Sequence, residues 1–260
     1  MKQNIPLWPA PVSGDFQPYL TPYPLPTGTN APAIIICPGG GYQVRVDHEK
    51  GNVARCFNAL GFHCFVLEYR LPKDALFPAP QLDALRAIKL LRSRAAELNI
   101  KENAVAVMGF SAGGHLASST AYMWDKLDAS AGDAADAFTA RPDATILAYA
   151  VISGVLEAHN ASFRNLFGTE KPDRRQLESV SAESHVNGRT PPSFIWHTAE
   201  DTEVPVANAL NYAAALARLK IPCALHVFPF GAHGKSVGED DPAIAKWTGL
   251  CADFLRRIFA

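Results

Sequence analysis

The sequence predicts an α/β protein whose central sheet is mostly parallel and carries helices on both faces. Short apolar runs typical of buried strands alternate with amphipathic segments typical of helices. Glycine-rich or polar stretches follow several of these runs, at the positions where ligands bind in open α/β sheets. The 260 residues are 48% hydrophobic and 19% charged, which is the composition of one large globular domain.

The first 32 residues contain eight prolines. Because proline has no backbone N–H to donate, this segment cannot run through the middle of a sheet. We expect residues 1–32 to pack on the domain as extended pieces or as an antiparallel hairpin at its edge. Residues 33–260 are then predicted to form a single domain.

The later strands are predicted from unbroken apolar runs, and the helices from the spacing of their apolar residues. The predicted strands cover residues 33–37, 62–69, 105–108, 145–153, 193–198 and 223–228. The predicted helices cover residues 48–60, 81–98, 112–122, 206–220 and 242–259. Asp83 and Arg86 on the second helix are interpreted as a solvated pair. Residues 154–192 are a long polar connection, interpreted as a cap over a cleft or as an irregular insertion.

A Gly-x-Ser-x-Gly turn at Gly109, Ser111 and Gly113 separates a predicted strand from a predicted helix. In a nucleophile elbow the neighbours of the serine are small, because the strand and helix backbones approach closely and the serine backbone is strained. A chain of this length matches the pattern by chance about one time in ten. The interpretation therefore depends on what the rest of the chain supplies.

A serine nucleophile needs a base that titrates near neutrality and a carboxylate that orients this base. In α/β-hydrolases these groups follow the order serine, acid, histidine. Ser111, Asp201 and His233 occur in this order, each just after a predicted strand, and form the predicted catalytic triad. Glu200 and Glu203 are the competing acids.

The other histidines have less favourable positions. His115 follows Ser111 by one helical turn, where it either lines the wall of the site or makes a structural hydrogen bond. His197 lies inside a predicted strand and is expected to pack near its end. His185 precedes the acid, which is the wrong order. The remaining four lack a strand-end context: His48, His63, His159 and His226.

The tetrahedral intermediate of acyl transfer needs N–H donors where its negative charge develops. The N–H of Ala112, directly after the nucleophile, is one predicted donor. The N–H groups of Gly40 and Gly41, in the run PGGGY at residues 38–42, are the others. The alternative interpretation of the three glycines is a plain flexible connection. The residues predicted to contact substrate are Tyr42 and His115.

Four segments resemble the small bacterial α/β-hydrolase esterases, a group of acetyl, acetyl xylan and feruloyl esterases related to the hormone-sensitive-lipase and prolyl-oligopeptidase hydrolases. They are PGGGY at 38–42, GFSAGGHLA at 109–117, PPSFIWHTAEDTEVP at 191–205 and FPFGAHG at 228–234. The resemblance extends from about residue 30 to the end of the chain and implies the α/β-hydrolase fold.

The resemblance also implies site residues. It implies Ser111 as nucleophile, Asp201 as acid and His233 as base, with the oxyanion donors on Gly40, Gly41 and Ala112. Pro38 stands where many relatives have histidine, so the hydrogen bonds that support this loop must differ.

These observations predict a cofactor-free carboxylic ester hydrolase that works through an acyl-enzyme. The expected substrate is an acetyl ester of xylan or a xylo-oligosaccharide, or a similar small ester. Feruloyl esterase, formamidase, thioesterase, lipase and peptidase activities stay open on the same fold. Relatives that cleave peptides usually carry a β-propeller, for which 260 residues leave no room. A non-enzymatic binding module would generally have lost part of the triad.

Charge and composition narrow the expected partners. A net charge of −1 gives no electrostatic reason to expect nucleic acid or an anionic membrane. The five cysteines are scattered without C-x-x-C spacing, so we expect reduced thiols and no metal site. The N-terminus has no continuous apolar core of a signal peptide, which makes a cytoplasmic location the expectation. A homo-oligomer is left open.

Overall fold

A computed structural model describes residues 3–12 and 14–260. The strands within these residues are β1 Ile5–Pro6, β2 Tyr19–Tyr23, β3 Ala31–Cys37, β4 His63–Glu68, β5 Ile100–Phe110, β6 Ala144–Ala148, β7 Ser193–Thr198 and β8 Cys223–Phe228. They form one sheet in the order β1-β2-β4-β3-β5-β6-β7-β8. In this order, neighbouring strands from β4 to β8 are parallel to each other. At the other edge, β1 pairs with β2 and β2 pairs with β4 in antiparallel orientation.

The helices lie between the strands along the chain. They are α1 Gly51–Ala59, α2 Ala79–Ser93, α3 Ala95–Leu98, α4 Ser111–Met123, α5 Asn160–Phe167, α6 Arg174–Ser179, α7 Ala207–Arg218 and α8 Lys246–Ile258. Alternate residues of the strands point to opposite faces of the sheet. One face packs against α2, α4 and α7, and the other against α1 and α8. The predicted α/β-hydrolase architecture, with a mostly parallel sheet and helices on both faces, is confirmed.

The N-terminal segment forms the antiparallel edge of the sheet. Ile5 pairs with Leu20, and β2 runs antiparallel along β4. Leu7 and Leu20 are buried in the same apolar cluster as α2. The predicted boundary at residue 32 falls inside β3, which begins at Ala31.

The interpretation of Asp83 and Arg86 as a solvated pair is wrong, because both side chains are buried. Asp83 accepts hydrogen bonds from Trp8 Nε1 at 2.9 Å and from Arg70 Nη2 at 2.7 Å. Arg86 lies 3.2 Å from Asp136 instead. The two residues are neighbours on α2, but the N-terminal segment and a later loop cover the helix and separate their partners. Helical spacing alone carries no signal of these covering segments.

Two other predicted elements differ from the structure, one in where it ends and one in being divided. The strand predicted for residues 145–153 ends at Ala148, because Tyr149 turns into a left-handed conformation with φ 37°. The helix predicted for residues 81–98 is divided at Arg94 into α2 and α3. Residues 154–192 contain the short helices α5 and α6. Asn165 of α5 contacts the glycine run, so this connection packs beside the predicted site.

Candidate active site

The predicted nucleophile lies at a sharp turn between the central strand β5 and helix α4. Ser111 is the first residue of α4, and its φ is 53°. A Cβ at Gly109 would lie 2.0 Å from the carbonyl oxygen of Gly113, and one at Gly113 would lie 2.2 Å from that of Cys37. These distances leave no room for side chains, so the strand, the turn and the helix can pack this closely only with glycine.

Ser111, His233 and Asp201 form a continuous hydrogen-bonded chain. Oγ of Ser111 lies 2.9 Å from Nε2 of His233, and Nδ1 of His233 lies 2.6 Å from Oδ2 of Asp201. Since the carboxylate can only accept, the Nδ1 atom carries a proton and Nε2 is free to accept the serine proton. The structure therefore brings together the three residues predicted from separate strand ends, in the geometry that a nucleophile, base and acid require.

Asp201 is held by its own loop as well as by His233. Its Oδ1 atom accepts the N–H groups of Glu203 at 3.0 Å and Val204 at 2.8 Å. Burial raises the pKa of this carboxyl, but hydrogen bonds from His197, His233 and the Val204 N–H outweigh burial and hold the pKa well below its usual range. Glu200 and Glu203, the competing acids, are exposed side chains.

The loop formed by residues 38–42, here called the glycine loop, lies against the nucleophile. A Cβ at Gly39 would lie 2.9 Å from Cβ of Ser111. The Gly39 N–H is occupied by Glu49, whereas the N–H groups of Gly40 and Gly41 donate to no residue that the structure describes. Ala112 lies in the first turn of α4, where N–H groups have no partner inside the helix. These three amides, the predicted oxyanion donors, are free to bind a ligand oxygen.

Three buried or half-buried side chains support the glycine loop where a histidine is absent at Pro38. Tyr69 Oη donates to the Pro38 carbonyl at 2.8 Å. Glu49 Oε2 accepts the Gly39 N–H at 2.6 Å. Asn165 Nδ2 donates to the Gly41 carbonyl at 2.8 Å. In this chain, these three hydrogen bonds support the glycine loop in place of those that a histidine at position 38 would make.

Tyr42 and His115 form a buried pair beside the site. Nε2 of His115 lies 2.9 Å from the Val180 carbonyl, which can only accept, so this nitrogen carries the proton. Nδ1 then accepts from Tyr42 Oη at 2.7 Å. Burial lowers the pKa of His115 to about 4. Both polar groups are thus engaged inside the protein, and for His115 the structure favours the structural hydrogen bond over contact with substrate.

Two cavities flank the site. One of about 450 Å³ lies beside the glycine loop and is lined by Tyr42, Gln43, Pro72, Lys73, Leu76, Arg164, Asn165, Gly168, Thr169 and Glu170. The other, of about 300 Å³, adjoins His233 and is lined by His48, Asn52, Ala232, His233, Gly234, Lys235, Ser236, Glu239 and Asp240. Most of the residues that line the two cavities have polar side chains. The first cavity offers the larger space for the part of a substrate beyond the reacting atoms.

Several residues that shape the site carry no sequence signal for such a role. His197 contacts Asp201, and Tyr149 packs its ring edge-on against His233 with the centroids 4.9 Å apart. Glu49 and Asn165 bind the glycine loop from segments 10 and 124 residues away. Only their placement by the fold relates these side chains to the triad.

None of the helices within residues 3–12 and 14–260 is long and apolar enough to cross a membrane. No three His, Cys, Asp or Glu side chains in these ranges are grouped so that they could hold a metal ion.

The strained turn at Ser111 after β5, with Asp201 after β7 and His233 after β8, is the arrangement that defines the α/β-hydrolase fold. The BD-FAE family model matches residues 22–216. The chain belongs to the BD-FAE family.

Two curated relatives match most of this chain. An endo-1,4-beta-xylanase B of Butyrivibrio fibrisolvens is 38% identical over 219 residues, which are 83% of this chain and 34% of the relative. An acetylxylan esterase of Xylanibacter ruminicola is 33% identical over 220 residues, which are 82% of this chain and 43% of the relative. The chain therefore spans less than half the length of either relative.

Solved structures match over nearly the whole chain. An acetyl ester-xyloside bifunctional hydrolase from Caldicellulosiruptor lactoaceticus has 41% identity and a TM-score of 0.93, covering 98% of this chain and 96% of its own. A thermophilic esterase of Thermogutta terrifontis has 26% identity and a TM-score of 0.81, covering 98% of this chain and 94% of its own. These relatives confirm the predicted fold and the resemblance to bacterial esterases.

Proposed function

We propose that the protein is a serine carboxylic ester hydrolase that removes acetyl groups from xylan or xylo-oligosaccharides through an acyl-enzyme. The observation that carries this proposal is the hydrogen-bonded chain Ser111–His233–Asp201 beside the N–H groups of Gly40, Gly41 and Ala112, which in the described part of the chain are free to donate. This arrangement supplies a nucleophile, a base and a site for negative charge within one small region.

In the proposed acylation step, Oγ of Ser111 attacks the acyl carbon while Nε2 of His233 accepts the hydroxyl proton. Asp201 stays ionised because of its low pKa and stabilises the imidazolium that forms. The oxygen that becomes negative accepts hydrogen bonds from the N–H groups of Gly40, Gly41 and Ala112. His233 then returns the proton to the alcohol oxygen as the bond between that oxygen and the acyl carbon breaks.

The second half of the cycle regenerates the serine. Water attacks the acyl carbon of the acyl-enzyme, and His233 accepts one proton from this water. The same three N–H groups stabilise the second tetrahedral intermediate. When the bond from Ser111 Oγ to the acyl carbon breaks, His233 returns the proton to Oγ and the carboxylic acid leaves. One ester and one water thus give one alcohol and one acid.

Two observations support a carbohydrate as the alcohol. The cavity of about 450 Å³ beside the glycine loop carries hydrogen-bonding side chains such as Gln43, Asn165 and Thr169, which suit the hydroxyl groups of a sugar. The names of the similar proteins refer to acetylxylan and to an acetyl ester-xyloside. Feruloyl esters are the main alternative, since the same triad serves them.

The chemistry is tested by replacing Ser111 with alanine and measuring hydrolysis of p-nitrophenyl acetate. We expect kcat to fall by a factor of roughly 10³ or more. Ser118→Ala is the matched control, because Ser118 is a buried serine on the same helix whose hydroxyl donates to the His115 carbonyl at 2.9 Å. A Ser111→Ala rate close to that of the wild type would overturn the proposal.

The substrate is tested with a panel of esters at equal concentration. We expect a higher kcat/KM for acetylated xylo-oligosaccharides than for methyl ferulate, long-chain p-nitrophenyl esters or aryl amides. A preference for methyl ferulate would retain the serine chemistry and replace acetyl xylan by feruloyl esters as the substrate class.

A further inference from the structure

Glu49 is a buried carboxylate that binds two separate parts of the site. Its side chain is 2% exposed. The residue lies in a short 3-10 helix, Asp47–Glu49, that follows the glycine loop in the sequence. Oε2 accepts the Gly39 N–H at 2.6 Å, and Oε1 accepts the Tyr149 hydroxyl at 2.7 Å. Burial raises the pKa of this carboxyl, while the bonds from Tyr149 and Gly39 act in the opposite direction. Each carboxylate oxygen therefore has a donor from a different element.

Tyr149 continues this link to the loop that carries His233. Its hydroxyl accepts the N–H of Ser236 at 3.0 Å, three residues after the histidine. Its ring lies edge-on to the imidazole, with the centroids 4.9 Å apart and the planes at 72°. Tyr149 itself has φ 37°, a strained conformation for a bulky side chain. Its position is therefore fixed by contacts at both the hydroxyl and the ring.

We propose that Glu49 is a positioning residue that fixes the glycine loop and the His233 loop relative to Ser111, through Gly39 and Tyr149. The inference rests on the proposed function, because it assigns these loops the oxyanion donors and the base. Gly39 packs against Ser111, so a shift of Gly39 moves the adjacent N–H groups of Gly40 and Gly41. A displacement of about 1 Å at such a site costs roughly a hundredfold in rate.

The geometry explains why an acid serves here. Gly39 and Tyr149 both donate to this side chain, and the two oxygens of the carboxylate accept these two hydrogen bonds. Alanine would leave both donors buried without a partner. Glutamine can still accept from Gly39 with Oε1, and its Nε2 can donate to the Tyr149 hydroxyl. The imidazole of His48 also lies near the carboxylate, with its Nε2 3.7 Å from Oε1, and this side chain is 55% exposed.

The test measures how fast a fluorophosphonate labels Ser111, by intact-mass spectrometry, together with kcat and KM for p-nitrophenyl acetate. We expect Glu49→Ala to lower both the labelling rate and kcat at least tenfold, with KM changed less than threefold. Glu49→Gln should recover most of both rates. Tyr149→Phe, which removes the link to Ser236, should also lower both rates.

Thr145→Val is the matched structural control. Thr145 is buried and bonds Ser193 at 2.8 Å, at the start of β6, the opposite end of this strand from Tyr149. The Thr145→Val variant should be less stable toward urea but should be labelled at the same rate as the wild type. If Glu49→Ala does not fold, Glu49→Asp replaces it, because the shorter carboxylate cannot reach both donors. The proposal is overturned if folded Glu49→Ala or Glu49→Asp is labelled within twofold of the wild-type rate.

Labelling also separates this inference from the proposed function. It requires the nucleophile, the base and the oxyanion donors but no ester substrate. A wild-type protein that is labelled at Ser111 yet hydrolyses no ester would overturn the proposed function, and the comparison of labelling rates would still decide the role of Glu49.

Discussion

Nε2 of His197 lies 3.2 Å from Oδ2 of Asp201, the same oxygen that contacts His233. This nitrogen also lies 2.8 Å from the Val204 carbonyl, which can only accept, so Nε2 carries a proton. His197 is completely buried. The predicted acid therefore receives a second imidazole N–H from its buried side, which helps to keep it ionised and fixed in place.

Replacing His197 should weaken catalysis through Asp201. Phenylalanine fills a similar volume but has no N–H, and a hydrogen bond to a charged group contributes about 1.5–3 kcal/mol. We expect His197→Phe to lower kcat/KM for p-nitrophenyl acetate by roughly tenfold or more. His197→Gln can place an amide N–H near the same oxygen and should retain most of the activity. Equal losses in the two variants, at equal stability in urea, would contradict this role.

Removal of two triad members should cost little more than removal of one, because they act as a unit. Ser111→Ala and His233→Ala are each expected to lower kcat for p-nitrophenyl acetate by a factor of roughly 10³ or more. The double variant should lie within about tenfold of either single variant. The measurement is a double-mutant cycle of kcat, and multiplicative losses would show that the two residues act independently.

Two helical glycines offer a matched pair for stability. A Cβ at Gly113 would lie 2.2 Å from the Cys37 carbonyl, whereas nothing lies within 4 Å of one at Gly249 in α8. We expect Gly113→Ala to lower the free energy of unfolding by about 3 kcal/mol or more, or to prevent folding. Gly249→Ala should raise it by about 0.5–1 kcal/mol, because alanine favours helix. Urea unfolding followed by circular dichroism measures both.

The buried His115 should make stability depend on pH. Its pKa is about 4 in the folded protein, against about 6.5 when unfolded. The unfolded chain therefore binds an extra proton between these values, and the stabilisation present above pH 6.5 is lost as the pH falls toward 4. We expect the free energy of unfolding to fall by roughly 2–3 kcal/mol more for the wild type than for His115→Gln between pH 7 and pH 4.5. Parallel curves for the two proteins would contradict the low pKa.

The buried parallel strands and the strand-end positions of Ser111, Asp201 and His233 could be predicted because both depend on local signals. Unbroken apolar runs mark buried parallel strands, and glycine marks the turns that follow them. The chain order of nucleophile, acid and base then selects one histidine and one carboxylate from many. In the structure, His233 lies within hydrogen-bond distance of both Ser111 and Asp201.

The supporting contacts could not be predicted, because they join segments distant in sequence through buried polar side chains. Glu49 follows Asp47 and His48 in a stretch that resembles a solvated surface. It is buried because Tyr149, 100 residues later, donates to it. The prediction of a solvated pair at Asp83 and Arg86 is wrong for the same reason, since their spacing suits an ion pair while other segments supply their partners.

Because the backbone of Ser111 is left-handed, activity and thermal stability place conflicting demands on this one residue. A non-glycine side chain in this conformation costs on the order of 1–2 kcal/mol of folding free energy, and glycine would avoid that cost. Engineering that selects only for a higher melting temperature would therefore tend to replace Ser111, the proposed nucleophile. A screen for robust variants of this protein has to select for turnover in parallel, because at this position greater robustness and an inactive protein would arise from the same substitution.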